Sequence, residues 1–310
     1  SGKKMGIIAC GLAYNYLIEN FDDHKVPHPV LRIGQYPLPE KQIRDLYETC
    51  DSLLTLEDGY PLVEELIRGF MNNGKPVKGR LDGTIPRDGE LNPNIIARAL
   101  GLPDEHGRDI PAIVSSRPPS LCKGCPHIYS YNALNEALLT VGKGRVFSDI
   151  GCYTLGALEP FDAINSCVDM GASITMAKGA ADAGLVPAVA VIGDSTFTHS
   201  GMTGLLDAVI SKSPITVIIL DNATTAMTGG QDSSALGKIE DIVAALGVEK
   251  DHIRILNPLQ KHHEENLAVM KEELAYQGVS VVIPRRECIQ TVTRRMRETK
   301  KQQLTEKSEA

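Results

Sequence analysis

Val191-Ile192-Gly193-Asp194-Ser195, then 25 residues, then Asp221-Asn222-Ala223-Thr224 is the stretch on which the fold turns. Ala188–Ile192 is apolar at every position, which suits a strand buried on both faces of a sheet. Ile215–Leu220 reads as the next strand. Between them Met202, Leu205, Leu206, Val209 and Ile210 repeat at helical spacing, in a helix that starts near His199. A strand, a helix and a strand at this spacing make neighbouring parallel strands. Asp194 and Asn222 then stand side by side beyond the carboxyl ends, where open α/β sheets bind ligands.

The same alternation extends outward. Arg145–Ile150, Ile253–Leu256 and Val279–Ile283 read as further strands. Helical stripes carry Ile239, Ile242, Val243 and Leu246, and then Leu267, Met270 and Leu274. Residues 113–290 therefore form one doubly wound α/β domain. Residues 3–110 form a second, smaller one, with strands at Met5–Cys10, Pro29–Ile33 and Ser52–Leu56 and an extended segment at Lys75–Arg80. Helices there cover Leu12–Phe21, Glu40–Thr49 and the stripe Val63, Leu66, Ile67, Phe70, which Asn72-Asn73-Gly74 stops. Residues 81–121 hold six prolines and read as a linker with one short helix at Pro93–Leu100. Residues 291–310 read as a polar tail. The fold class is α/β: two doubly wound domains with mainly parallel sheets.

Composition narrows the function. Apolar residues make up 42% of the chain, but Trp is absent and aromatics reach only 5%, so the core is aliphatic. A formal charge of −7 argues against nucleic-acid binding. No apolar run is long enough to span a membrane and no secretory signal opens the chain, so a cytoplasmic protein is expected. Seven cysteines without an export signal read as thiols or metal ligands, not as a disulfide framework.

Three groups of residues carry chemistry. A carboxylate at Asp194, an amide oxygen at Asn222 and a backbone carbonyl at Thr224 suit a hard cation such as Mg2+. Two diphosphate oxygens and a water would complete its octahedron. Gly193 lets backbone approach the phosphates, and a helix N-terminus nearby favours the anion. Gly-Asp or Asp-Asn alone is a common turn; in order, at strand ends, they make a site.

The second group is Cys122-Lys123-Gly124-Cys125-Pro126-His127. Such a pair serves a redox couple, half a zinc site or half an iron–sulfur site. Cys152, after Gly151 at one strand end, and Cys288, after the last strand, would bring the count to four. That number fits a [4Fe–4S] cluster and equally a structural zinc. Burial as a small apolar residue is the other reading of a free Cys, and is adopted for Cys10, Cys50 and Cys167. The third group is Met227-Thr228-Gly229-Gly230-Gln231, a loop able to wrap a phosphate, or a plain flexible turn. His127 and His199 are candidates to touch diphosphate or substrate; a hydrogen-bonded structural role is the alternative for each. Arg285, Arg286, Arg294, Arg295 and Arg297 read as a solvated helix face, or else as a docking patch for an acidic partner.

Gly193-Asp194-Ser195 followed by Asp221-Asn222 resembles the Gly-Asp-Gly…Asn-Asn signature of thiamine diphosphate (TPP) enzymes. Ser195 and Asp221 depart from it, while the ligand positions Asp194 and Asn222 are kept. Ser148–Gly156, Asp194–Gly201, Met227–Gln231 and Gly34–Pro39 with Leu56–Pro61 together resemble the large subunits of indolepyruvate:ferredoxin oxidoreductases, within the 2-oxoacid:ferredoxin oxidoreductases. The resemblance implies a transketolase C-terminal-like domain over 3–110 and a TPP diphosphate domain over 113–290. It implies Mg2+ on Asp194, Asn222 and Thr224, and TPP against Gly151, Gly193, Ser195, Met227, Thr228 and Gly229. It also implies a [4Fe–4S] cluster on Cys122, Cys125, Cys152 and Cys288.

The implied reaction is oxidative decarboxylation of an arylpyruvate. Coenzyme A takes the acyl group, and electrons leave one at a time for ferredoxin. A small oxidoreductase subunit and an oligomeric assembly are the implied partners. The glutamate that activates TPP is expected on a domain upstream of residue 1. The chain is then a fragment that lacks this pyrimidine-binding domain and a ferredoxin-like domain. Two other functions fit the residues: a non-oxidative TPP decarboxylase, and a zinc-stabilised scaffold subunit without catalysis.

Overall fold

A computed structural model describes residues 5–309 except 71–73, 105, 106, 108, 140, 141, 143 and 144. The expected stop at Asn72-Asn73 lies outside them. The chain divides into two compact units, Ser1–Ser115 and Ser116–Ala310.

In the first unit, strands β1 (Met5–Cys10), β2 (Val30–Ile33), β3 (Ser52–Leu56) and β4 (Val77–Lys78) pair in parallel, in the order β2-β1-β3-β4. Helices α1 (Ala13–Ile18), α2 (Glu40–Thr49), α3 (Leu62–Phe70) and α4 (Pro93–Leu100) cover both faces. Ile7, Ala9 and Leu54 pack with Ala13, Leu17 and Ile96. Ile8 and Leu53, pointing the other way, pack with Ile43, Tyr47, Val63 and Ile67.

Two details depart from the sequence reading. Leu66 is exposed, while Glu64 is buried in its place and accepts the Leu81 N–H. The stretch after residue 80 is no simple linker. Ile85 and Leu91 join the core of this unit, and buried Arg80 donates to the carbonyls of Glu57, Pro86 and Gly89. At the β3 tip, the Glu57 carboxylate accepts the N–H groups of Val63 and Glu64 at 2.8 and 2.9 Å, capping α3.

The second unit holds β5 (Val146–Ser148), β6 (Ser166–Cys167), β7 (Ala188–Gly193), β8 (Ile215–Leu220), the short ladder of β9 (Thr224–Thr225) with β10 (Gln231–Asp232), then β11 (Ile253–Leu256) and β12 (Ser280–Pro284). Six strands form one parallel sheet, β11-β12-β8-β7-β5-β6. Alternate residues of β7 enter different cores. Ala188, Ala190 and Ile192 pack with α6 (Ala172–Asp182), α8 (Met202–Ser211) and α9 (Ile239–Ala245). Val189 and Val191 pack with α5 (Pro126–Leu138) and α10 (His263–Ala275). The unbroken apolar run follows from this double burial.

The helix expected near His199 begins earlier: Asp194–Thr196 is a helical turn, α7, and Phe197–Gly201 a π-helical turn that runs into α8. Residues read as a polar tail are helical, α11 (Ile289–Glu309). Cys167 sits on edge strand β6 and is exposed, not buried as expected; Cys50 is buried and Cys10 half-buried. Among the described residues no helix is long and apolar enough to cross a membrane.

Candidate functional site

The parallel order β12-β8-β7-β5 puts four strand tips on one edge of the second sheet. β6 lies on one side of β5 and β7 on the other, so the chain changes direction there, and crevices open at such points. The tips are stitched together. Thr196 Oγ1 donates to the Ile150 carbonyl at 3.2 Å, and the Ser195 and Thr225 hydroxyls pair at 2.8 Å. The Cys288 N–H donates to the Asn222 carbonyl at 3.1 Å, and the Arg286 N–H to that of Asp221 at 2.9 Å.

Asp194 is 3% exposed. Its Oδ1 accepts the Ser195 N–H at 2.8 Å, but its Oδ2 is buried with no hydrogen-bond partner among the described residues. Burial pushes the carboxyl up to about 6, and the Asp221 charge adds to this; the nearby Ser233 hydroxyl and Ala223 N–H favour ionisation without closing a bond to Oδ2. An oxygen left this way costs stability unless a cation meets it. Asn222 Oδ1 accepts the Thr224 N–H at 3.1 Å. Ala223, between them, has φ +63, a strained value for a residue with a Cβ.

Asp221 has no share in this task. Arg285 Nε reaches its Oδ2 at 2.6 Å, and the same guanidinium binds Glu240 at 2.7 Å. The departure from Asn at position 221 is thus matched by a cation across the β8–β12 seam. Arg294 likewise donates to the carbonyls of Gly229 and Gly230, at 2.9 and 3.3 Å, and Arg295 pairs with Glu287 at 2.8 Å. Three of the five arginines of the basic cluster, Arg285, Arg294 and Arg295, thus make contacts within the chain.

A cavity of about 190 Å³ is lined by Gly151, Cys152, Tyr153, Gly193, Asp194, Ser195, Asn222, Thr224, Met227 and Thr228. Gly229 falls outside it, beside Arg294 and Arg297 in a separate hollow. Gln231 holds the loop by exchanging hydrogen bonds with Thr228, both at 2.8 Å. His199 is exposed and bonded to Ser200 at 3.0 Å, and it lines neither this cavity nor the next.

Tyr153 explains two glycines. A Cβ on Gly193 would lie 2.5 Å from its ring, and one on Gly151 2.1 Å. The ring is fixed by a hydrogen bond to buried Asp149, which also accepts Ser173 Oγ at 2.6 Å and the Gly171 N–H at 3.1 Å. Gly193 makes room for a tyrosine, where the sequence reading reserved that space for phosphate. Gly193→Ala should therefore destabilise the chain by about 1–3 kcal/mol, as overpacking does; denaturant unfolding measures it.

The second cavity, about 540 Å³, is lined by Cys122, Cys125, Cys152 and Cys288, with His127 and Asn222. Burial raises the Cys125 thiol to about 11, with the other three cysteines adding to the rise, while the His127 N–H favours the thiolate. Cys152 is raised for the same reasons, burial first and then Cys288 and Cys122. Among the described residues no three His, Cys, Asp or Glu side chains close round a single ion. All four cysteines line this one cavity. His127 is 3% exposed, and burial lowers it to about 4, leaving it neutral.

The low acidity of Asp194 has a consequence of definite sign. Its folded value lies above the ordinary 3.8, so its contribution to stability is full below about 4 and is lost as pH rises through about 6. In protein stripped of divalent metal, stability should fall by roughly 2–3 kcal/mol across that window. Asp194→Asn should flatten the fall; urea midpoints against pH measure it.

Residues 149–283 match the family described as thiamine pyrophosphate enzyme, C-terminal TPP binding domain. Indolepyruvate oxidoreductase subunit IorA of Archaeoglobus fulgidus is 35% identical over 310 residues, covering 92% of this chain and 48% of that subunit. The subunit of the same name from Methanothermobacter thermautotrophicus is 35% identical over 313 residues, covering 93% and 50%. This chain thus spans about half the length of the curated relatives it matches. A solved 2-oxoglutarate:ferredoxin oxidoreductase from Magnetococcus marinus aligns with TM-score 0.47 and 17% identity over 56% of this chain and 66% of that one.

Proposed function

Because residues 149–283 match the C-terminal TPP binding domain of thiamine pyrophosphate enzymes, and the chain matches IorA subunits over about half the length of those subunits, we propose that it carries the diphosphate and metal half-site of a 2-oxoacid:ferredoxin oxidoreductase acting on arylpyruvates such as indolepyruvate. The observation that carries this reading is the Asp194 carboxylate oxygen, buried without a partner at the tip of β7 beside Asn222 at the tip of β8. In this reading Asp194, Asn222 and the Thr224 carbonyl hold Mg2+. Gly151, Gly193, Ser195, Met227 and Thr228, which line the first cavity, shape the diphosphate bed, and Gly229, outside that cavity, contributes through the loop it ends. Cys122, Cys125, Cys152 and Cys288 hold a [4Fe–4S] cluster; what supports this is that all four line one cavity, and four thiolates fit a structural zinc as well.

When bound, TPP supplies the electron sink for decarboxylation and the cluster carries single electrons away. The chain's own contribution is positional and electrostatic. Asp194 would hold the cation that neutralises the diphosphate charge. Tyr153, locked by Asp149, walls the cavity between the β5 and β7 tips. Coenzyme A as acyl acceptor, a small oxidoreductase subunit, ferredoxin, an oligomeric assembly and a cytoplasmic setting complete the proposal. Neither histidine is assigned acid–base chemistry: His127 is neutral and buried, and His199 lies away from both cavities.

Calorimetric titration with TPP, with and without Mg2+, alongside metal analysis of anaerobic protein, tests the reading. Mg2+-dependent binding together with iron is expected. TPP binding without iron would favour a non-oxidative decarboxylase, and zinc without TPP binding a scaffold subunit.

A further inference from the structure

His127 lies beside the thiol pair in sequence and beside a proposed metal ligand in space, and its ring does neither of the jobs a cavity histidine usually does. It is buried, at the wall of the thiol cavity. Its Nε2 instead stands 3.4 Å from the Asn222 side-chain nitrogen. The orientation of that amide follows from its other end: Asn222 Oδ1 accepts the Thr224 N–H, so the nitrogen is the group that faces the imidazole. Asn222 Nδ2 therefore donates, and His127 Nε2 accepts. On its backbone, Asn222 is held by the Cys288 N–H. Two of the three segments that bring thiols to the second cavity thus grip the same asparagine, one through its side chain and one through its carbonyl.

We infer that His127 is a positioning residue, which fixes the Asn222 amide with its oxygen turned to the metal loop and its nitrogen turned to the thiol cavity. The inference rests on the proposed metal role of Asn222. An amide that can rotate freely offers nitrogen as readily as oxygen, and the nitrogen is no ligand for a hard cation. Without the imidazole, a buried N–H loses its acceptor and the amide is held in its orientation by the Thr224 N–H alone.

The test uses the 310-residue chain prepared without oxygen, with TPP and Mg2+ as the probe. His127→Phe keeps a ring of similar size but removes the acceptor; His127→Gln restores an acceptor at comparable reach. Mg2+-dependent TPP affinity should fall about tenfold in His127→Phe and return to within about twofold of wild type in His127→Gln, with iron content alike in all three. Affinity in His127→Phe equal to wild type would overturn the inference and leave the functional reading standing. Loss of affinity and iron together, with no recovery in His127→Gln, would also overturn it, since that is what a purely structural histidine gives. Wild-type protein that binds TPP without regard to Mg2+ would bring down the functional reading and this inference with it.

Discussion

Asp194→Ala is expected to abolish Mg2+-dependent TPP binding, with a loss of about 100-fold or more, equivalent to roughly 3 kcal/mol. The size of the effect follows from what stands near the carboxylate. Its Oδ2 is buried and, among the described residues, unpaired, so it is open to a cation. Asp221, level with it on β8, cannot replace it, because Arg285 already holds that carboxylate at 2.6 Å. Asn222 brings no charge. Asp194→Asn separates charge from shape, since it keeps the acceptor for the Ser195 N–H and the volume of the side chain. Both variants should lose binding in calorimetry while unfolding cooperatively. Equal affinity in Asp194→Ala and wild type would remove the carboxylate from the site.

Cys152→Ala is expected to strip the iron from anaerobically prepared protein, from about four per chain to near none, while TPP affinity in the presence of Mg2+ stays within about threefold. Cys152 sits past the tip of β5, whereas Asp194 and Asn222 follow β7 and β8. Removing one thiol leaves three ligands on a cluster that wants four. The tips themselves remain stitched through Thr196 to Ile150 and Ser195 to Thr225. Cys288 is a less clean choice, because its N–H holds Asn222. Chemical assay of iron and acid-labile sulfide reads the first effect and calorimetry the second. Iron retained in Cys152→Ala would exclude this cysteine from the ligand set.

The strands that matter most were legible because burial leaves a mark on sequence. β7 meets hydrophobic cores on both faces and so reads as an unbroken apolar run. The spacing from β7 to β8 leaves room for only one crossover helix. Adjacent placement of Asp194 and Asn222 follows from those two facts. The supports of the site were not legible. Arg285 meets Asp221 from 64 residues away. Arg294 reaches Gly229 across 65. Neither pairing has a periodic signal. Tyr153 stood inside a quoted motif, yet nothing local says that its ring fills the space over Gly193. The stretch after residue 80 was misjudged for a related reason: Ile85 and Leu91 are isolated apolar residues among prolines and glycines, and only their long-range packing reveals them as core. Leu206 and Ile210 show the opposite error, since they continue a helical stripe that the fold leaves exposed.

The central claim is that one sheet edge carries both a diphosphate–metal site and, next to it, a thiol-held iron centre. Diffraction at the iron absorption edge from crystals grown anaerobically with TPP and Mg2+ tests both halves at once. The account predicts a single compact iron peak enclosed by Cys122, Cys125, Cys152 and Cys288, with diphosphate and Mg2+ on Asp194 and Asn222. Diphosphate bound elsewhere, or Cys288 turned away from an iron centre that the other three hold, would contradict it.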